Sequence, residues 1–334
     1  MVRRSLRKAA IVSTAIATFV MSSAASAAPM SLRAFAEQQV RVATIGYRLN
    51  TANANSCQQP QMLTGMLLHD LSQYDPGIRT AVSQAFSLGS GFGIMQIVPG
   101  SAADRAGLRV DDEILAVRGV SVEDPASVAR SGKSYRRMER FAAFLQSALQ
   151  QGGADLLVRR NGAIVRVTLN GEAGCGGELS LLNSGEQNAW SDGSHVAVTT
   201  GMMRLARSDD ELAFVVAHEM AHNLLGHSRS SVSQIFGGRR SEIDADQMAV
   251  RLMTYAGYQP ESGISFLETA RRRFWWSISL DHPGFGSRIR AVTAAISALP
   301  AQRWQVAMAS TNYARTTPAV ALASFSNCVG SCRR

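Results

Sequence analysis

The stretch that decides the fold lies at residues 208–226 and reads SDDELAFVVAHEMAHNLLG. Ser208 is a suitable N-cap, Glu211 can complete a capping box, and Gly226 is a natural stop. Between these ends nearly every face is apolar, so the pattern predicts a buried α-helix. Buried polar side chains are costly unless they are satisfied, and the histidines and glutamate inside this helix therefore need partners.

The two histidines of this helix, His218 and His222, are four residues apart and project from one face. That separation suits two nitrogen ligands of one zinc ion at ~2.0–2.1 Å. Glu219 lies beside the first ligand and can reach a zinc-bound water as a general base. The alternative is a pair of core histidines bonded to carboxylates, which the His-Glu-x-x-His spacing and the acids further along the chain disfavour.

A tetrahedral catalytic zinc site needs a third protein ligand. His227 is out of step with a three-histidine pattern, because five residues from His222 place it about 140° around the helix. Glu242 is the better candidate, since it shares a helix face with Asp246. We expect Asp246 to accept a hydrogen bond from a ligand histidine. The alternative is that both acids are surface residues paired with nearby arginines.

These motifs resemble the zinc metallopeptidases that include HtpX, the CAAX prenyl proteases and the soluble exported BepA-like members. The resemblance spans residues 188–300 and implies an α+β fold, in which a mainly helical gluzincin-type metallopeptidase domain has a small edge strand or sheet. It also covers Asp281-His282-Pro283 and Arg288. The resemblance implies that His282 donates to the developing oxyanion with support from Arg288. We expect the substrate to extend along the strand at 195–200.

A second domain is expected at residues 75–171. Within it, residues 100–119 read GSAADRAGLRVDDEILAVRG, and an Asn-Gly turn at 161–162 between alternating apolar residues predicts a hairpin. This region resembles a PDZ domain of the bacterial protease type, so a β-rich PDZ-like domain precedes the metallopeptidase domain. Backbone N–H groups of a glycine loop at Gly91, Phe92 and Gly93 can hold a peptide carboxylate beside a strand that accepts an extended peptide. The alternative is a PDZ fold that only packs on its neighbour.

Residues 1–27 combine a basic start, an apolar run and a small-residue cleavage site, as secretory signals do. The apolar run is too short to span a bilayer comfortably, although an uncleaved anchor is the alternative. We therefore expect a protein that is exported, periplasmic or secreted. The formal net charge is +9 and falls to +5 without the four basic signal residues. No basic run is interleaved with aromatic residues, so nucleic-acid binding is not expected.

The remaining segments have less specific patterns. Residues 28–74 are predicted to be an N-terminal helical segment, 172–187 a linker rich in Gly, Ser, Glu and Asn, and 301–334 a C-terminal tail. Four cysteines in an exported chain permit two disulfides. We favour the pairs Cys57–Cys175 and Cys328–Cys332.

The expected function is that of a zinc-dependent endopeptidase with one zinc ion per chain. It would hydrolyse peptide bonds of exported or misfolded envelope proteins through a zinc-activated water and the general base Glu219. The PDZ-like domain would recruit polypeptide substrates, and membrane-surface or outer-membrane assembly proteins are further candidate partners. Two alternatives stay open: a peptide-binding chaperone or quality-control adaptor with latent protease activity, and an N-terminally selective aminopeptidase.

Overall fold

The computed structural model describes residues 32–130, 132–227, 238–273 and 284–300. The expected signal segment, the C-terminal tail with its Cys328–Cys332 pair, and His282 lie outside these residues. Within the described ranges, no helix combines the length and the apolar character needed to cross a membrane.

The described chain begins with helix α1 (Leu32–Ala52), which strand β1 (Pro60–Leu63) follows. Val42, Ile45 and Leu49 of α1 are fully buried in a core that otherwise belongs to the C-terminal half of the chain. The first helix in sequence is therefore part of the layer around the candidate metal site.

An antiparallel sheet forms the middle of the chain. Its strands are β2 (Met66–His69), β3 (Phe92–Ile97), β4 (Glu113–Val117), β5 (Val120–Ser121), β6 (Ala154–Arg160) and β7 (Ala163–Leu169). The order is β2-β3-β4-β6-β7, with β5 beside β4. Four helices accompany it: α2 (Arg79–Phe86), α3 (Ala102–Arg105), α4 (Pro125–Arg130) and α5 (Arg136–Gln150). The ring of Phe141 on α5 stacks on that of Phe92 with centroids 3.8 Å apart, which anchors α5 to the sheet.

The predicted Asn-Gly hairpin is confirmed at β6 and β7. Arg160 pairs with Ala163 across the two-residue turn, and Asn161 and Gly162 both have positive φ, at 48° and 83°. Two successive positive φ values define the turn type that matches the twist of a tight hairpin, which Asn-Gly tolerates best.

The C-terminal half begins with four short strands. These are β8 (Glu172–Cys175), β9 (Glu178–Leu182), β10 (Ala189–Ser191) and β11 (His195–Thr199). The helices that follow are α6 (Thr200–Leu205), α7 (Asp209–Leu224), α8 (Gly238–Tyr255), α9 (Ser262–Arg273) and α10 (Phe285–Ser297). β10, β11 and β9 form a three-stranded sheet in that order, and α7 packs against β10, β11, α1, α8 and α9. α7 is thus the central element of this half.

Helix α7 begins as its sequence predicts, with one difference at the cap. The Ser208 hydroxyl accepts from the Glu211 backbone N–H at 3.1 Å. The Glu211 carboxylate, however, accepts from the backbone N–H of Arg207 at 2.8 Å and from its guanidinium. The reciprocal half of the capping box is replaced because this ion pair competes for the carboxylate.

The structure shifts two of the predicted boundaries. In the described part of the expected N-terminal helical segment, 32–74, the long helix covers residues 32–52, and β2 already belongs to the PDZ-like sheet. The expected linker at 172–187 instead contains β8, which pairs with β1, and β9, which pairs in parallel with β11. These pairings join distant parts of the sequence, so local composition carries no signal for them. The whole is a mixed α/β structure.

A disulfide joins Cys57 to Cys175, as expected, with Cα atoms 5.4 Å apart and a sequence separation of 118. It fixes the end of α1 to β8 and so closes the PDZ-like region into a loop. On chain-entropy grounds a loop of this length stabilises the folded state by about 4–5 kcal/mol.

Candidate metal centre

Two imidazoles meet on one face of α7. His218 is buried and His222 is half-buried, and their Nε2 atoms lie 3.1 Å apart. The i, i+4 spacing places both rings one turn apart, and the apolar surroundings of α7 keep the pair away from bulk solvent. Two imidazole nitrogens that converge in this way could both bind one cation once they are unprotonated.

Glu242 on α8 completes a three-residue cluster. Its carboxylate oxygens lie 3.4 Å from His218 Nε2 and 3.3 Å from His222 Nε2. Ligands of a tetrahedral zinc ion with bonds of ~2.0–2.1 Å are about 3.3–3.4 Å apart, so the three separations fit such an ion. Within the described ranges, no other group of His, Cys, Asp or Glu side chains comes together like this. The donor set, two imidazoles and one carboxylate, is one that zinc commonly takes at catalytic sites.

A buried ion-pair network lies behind these donors. Asp246, which is fully buried, places Oδ1 3.0 Å from His218 Nδ1. Arg288 on α10 donates to both Asp246 oxygens, at 2.8 and 2.7 Å, and lies 3.3 Å from Glu242 Oε2. Asp246 therefore meets the outer nitrogen of His218, where such a carboxylate fixes the orientation of the ring.

Arg288 thus has a place that differs from the expected one near an oxyanion. Its guanidinium is largely buried, and its donors are directed at the carboxylates of Asp246 and Glu242. The planar fork of arginine suits this two-point contact with a carboxylate. Arg288 is better described as a positioning residue for the metal donors. His282, its expected companion, lies outside the described residues.

The charges of the network shift the protonation of its members. Burial and the nearby Arg288 lower the pKa of His218, but its hydrogen bonds to Asp246 and Glu242 outweigh them and raise the pKa to about 9. Burial acts to raise the pKa of Glu242, yet hydrogen bonds from the two histidines hold it far below its usual range. Without a metal the cluster retains a proton on His218. A cation that binds here must therefore displace that proton.

His227 contacts the outer side of the second histidine. Its Nδ1 lies 3.0 Å from Nδ1 of His222, on the nitrogen that faces away from Glu242. Burial, followed by the charge of His222, lowers the pKa of His227. His227 stands outside the three-donor cluster, as its register predicts, but its contact with His222 could not be read from spacing.

Glu219 is half-buried beside the cluster, and two features near it were not foreseen. The hydroxyl of Ser191 on β10 donates to Glu219 Oε2 at 3.1 Å. One turn further along α7, the Asn223 side chain accepts from Gly193 N–H at 2.6 Å and donates to the His195 carbonyl at 3.0 Å. The β10–β11 hairpin is therefore bonded to α7 at two successive turns.

The strand next to the metal cluster differs from the expected one. β11 at 195–199 pairs with β10 on one side and with β9 on the other, so both of its edges are occupied. β10 and β9 are the edge strands of this sheet, and β10 is the one that lies against α7. An added strand near Glu219 would have to pair with β10.

The glycine loop of the PDZ-like region is also occupied by the chain itself. The N–H groups of Gly89 and Gly91 donate to Oε1 of the buried Glu113 at 3.0 and 2.7 Å. Phe92 is buried, and Gly93 pairs with both β2 and β4, because β3 is an interior strand. Gly91, Phe92 and Gly93 therefore do not form an open carboxylate site. The edge strands of this sheet are β2, which lies next to β3, and β7.

Comparison with known proteins supports a metallopeptidase region and a PDZ-like region. The model of peptidase family M48 matches residues 173–238, and a PDZ domain model matches residues 93–139. Among solved structures, the chain is similar to the HtrA3 PDZ domain bound to a phage-derived ligand (FGRWV). That similarity has 19% identity, covers 34% of this chain and 89% of the other, and has a TM-score of 0.26. No curated protein matches the chain.

Proposed function

We propose that the chain is a zinc-dependent endopeptidase of the M48 type, because the peptidase family M48 model matches residues 173–238 and a PDZ domain model matches residues 93–139. Its zinc ligands are His218, His222 and Glu242, and its general base is Glu219. The observation that carries the proposal is the convergence of the two Nε2 atoms, 3.1 Å apart, on the Glu242 carboxylate, one oxygen of which lies 3.4 Å from His218 and the other 3.3 Å from His222, next to the half-buried Glu219.

His218, His222 and Glu242 would hold the zinc ion, which would supply Lewis-acid activation of a water molecule and of the substrate carbonyl. Glu219 neighbours both histidines along α7 and does not belong to the donor cluster. Its carboxylate takes the proton of the attacking water and delivers it to the departing amine. Asp246 and Arg288 hold His218 and Glu242 in place, so that the donors need no rearrangement when the metal binds.

The substrate lies extended along the outer edge of β10. Main-chain hydrogen bonds to an edge strand hold a peptide without regard to its side chains, which suits an enzyme that acts on unfolded polypeptides. Support for this placement comes from β10 itself, which is an edge strand and carries Ser191 against Glu219. This arrangement replaces the placement along 195–200.

The PDZ-like domain recruits polypeptides at the outer edge of β2. In the described part of the chain β2 pairs only with β3 in its sheet, and Met66 and Leu68 are partly buried against the domain core. An extended segment could add there as a further strand. The proposed substrates are exported or misfolded envelope proteins, and the proposed compartment is the periplasm or the exterior.

The central experiment compares the parent with Glu219→Gln on casein, with and without a chelator. We expect the parent to bind one zinc ion per chain and to lose cleavage when the metal is removed. Glu219→Gln should keep the zinc and lose at least about 100-fold in kcat, since general bases contribute roughly 10²–10⁴-fold. Glu268→Gln, on the exposed side of α9, serves as the matched control.

A Glu219→Gln variant that cleaves casein as fast as the parent would refute the general-base assignment. A parent that binds zinc and peptides but never cleaves would favour the chaperone alternative. Cleavage within the chain of an unfolded protein, rather than from its amino terminus, separates the endopeptidase from an aminopeptidase. Capture of intact substrates by Glu219→Gln in the exported compartment would then identify the natural ones.

A further inference from the structure

The contact between the β10–β11 hairpin and α7 has a feature that packing alone does not require. Ser191 lies on the same face of β10 as Ala189 and meets α7, while Trp190 between them is exposed on the other face. An alanine would fill this position equally well. The serine instead contributes a hydroxyl whose donor is used on Glu219 Oε2 at 3.1 Å.

The helix relates this contact to the metal donors. Glu219 and Asn223 are i and i+4, and so are His218 and His222, one residue before each of them. The hairpin contacts and the metal donors therefore occupy two adjacent stripes of one rigid helix. Asn223 bonds to Gly193 and His195, which flank the turn, and so fixes the strand that carries Ser191.

We propose that Ser191 is a positioning residue for the general base, through its hydrogen bond to Glu219 Oε2, and that Asn223 holds Ser191 in register. A glutamate side chain has three rotatable bonds, so a half-buried carboxylate needs a fixed contact to keep one orientation. With Oε2 held by Ser191, Oε1 is the oxygen left to face the reacting water. The inference rests on the proposed function.

The test measures kcat and KM separately for Ser191→Ala on a peptide substrate of the zinc-loaded full chain. Misplacing a catalytic group by about 1 Å can cost up to 10²-fold, so we expect kcat to fall about 10-fold. KM should stay within twofold, because the backbone of β10 is unchanged. Ser191→Thr keeps the hydroxyl and suits a strand, so it should restore kcat to within about twofold of the parent. Asn223→Ala should lower kcat as well, because it loosens the hairpin.

Two further readouts separate positioning from a general loss of structure. The visible spectrum of the cobalt-substituted protein should be identical in the parent and Ser191→Ala, since no metal ligand has changed. In thermal unfolding without metal, the Tm changes of Ser191→Ala and Glu219→Ala should be non-additive in the double variant, because each variant removes the contact between the two side chains. Ser194→Ala, in the same hairpin but bonded to Asp192 and His195, should leave kcat unchanged.

The inference fails if Ser191→Ala retains kcat within twofold of the parent, or if Ser191→Thr is as slow as Ser191→Ala. It also fails if the two Tm changes add. Each of these results leaves the proposed function intact as long as Glu219→Gln is inactive. A parent that does not cleave with zinc bound refutes the proposed function instead, and the additivity of the Tm changes still decides whether the contact exists.

Discussion

Replacing Arg288 by lysine tests whether the buried guanidinium holds the metal donors in place. The change keeps the positive charge and removes the planar fork that donates to both Asp246 oxygens. Lysine carries a compact charge that can serve one oxygen well but cannot reproduce the two-point contact and the approach to Glu242 together. The two carboxylates are almost entirely buried, so water cannot replace the missing donors.

The contacts set the size of the expected effect. Loss of one hydrogen bond to a charged group costs ~1.5–3 kcal/mol, and removal of a buried charge's partner costs ~3–5 kcal/mol. Lysine falls between these limits, so we expect the free energy of unfolding to decrease by about 2–4 kcal/mol. Zinc affinity should decrease about 10–100-fold, as it does when the groups that orient metal ligands are lost.

Urea unfolding followed by far-UV circular dichroism, in the presence of a chelator, measures the first quantity. Competition with a chromophoric zinc chelator measures the second. Arg290→Lys is the matched control, because Arg290 lies on the same helix, is exposed and, among the residues that the structure describes, bonds to Ser287 one turn away. We expect this control to remain within ~0.5 kcal/mol of the parent. If Arg288→Lys also stayed within that range and bound zinc as tightly, the guanidinium would not be holding the donors.

Two further predictions concern the PDZ-like half. Gly91→Ala should destabilise the protein by about 1–3 kcal/mol in urea unfolding, because its Cβ would press on the Ile114 carbonyl. The control Gly132→Ala, whose Cβ meets open space, should have the stability of the parent. Equal destabilisation by the two variants would contradict the packed glycine loop. Burial and the charge of Arg33 lower the pKa of His69 from its usual 6.5 to about 4, so stability should be lost as pH falls from about 6.5 towards 4. By linkage, the His69 contribution lowers the free energy of unfolding by about 2 kcal/mol between pH 7 and 5. His69→Gln should lack this pH-dependent decrease. Parallel plots of unfolding free energy against pH for the parent and the variant would refute the assignment to His69.

Local patterns predicted those parts of the molecule that depend on local geometry. The α7 helix, the facing pairs His218/His222 and Glu242/Asp246, and the Asn161-Gly162 hairpin all follow from the periods of helices and strands. The even cysteine count allows a few pairings, and the favoured Cys57–Cys175 pair is present in the structure. The helix, the facing pairs and the hairpin depend on residues that are close in sequence. The disulfide depends on choosing among a few possible cysteine pairings.

The parts that sequence could not supply depend on which strands are neighbours. β3 is interior and β2 is at the edge, and β11 is central while β10 is at the edge. A strand's own alternation of apolar and polar residues is the same in either position, so it cannot distinguish an open edge from a paired one. The acceptor that fills the glycine loop, Glu113, comes more than twenty residues later. Likewise, the donors of Arg288 would suit an oxyanion or a carboxylate equally, and only its position decides between them.

Helix α1 contacts both the PDZ-like half and the metallopeptidase half, and so fixes the distance between them. Its Arg41 pairs with Asp209 at the start of α7 at 2.6 Å, and its Arg33 pairs with Asp111 of the PDZ-like half at 2.7 Å. Eight residues of one helix separate these contacts, or about 12 Å at the usual rise per residue. If peptides bind at β2 and are cleaved beside β10, their path between the two strands has a set length. The proposed enzyme should therefore cut at a preferred number of residues from the segment that the PDZ-like domain holds, whatever the sequence between them.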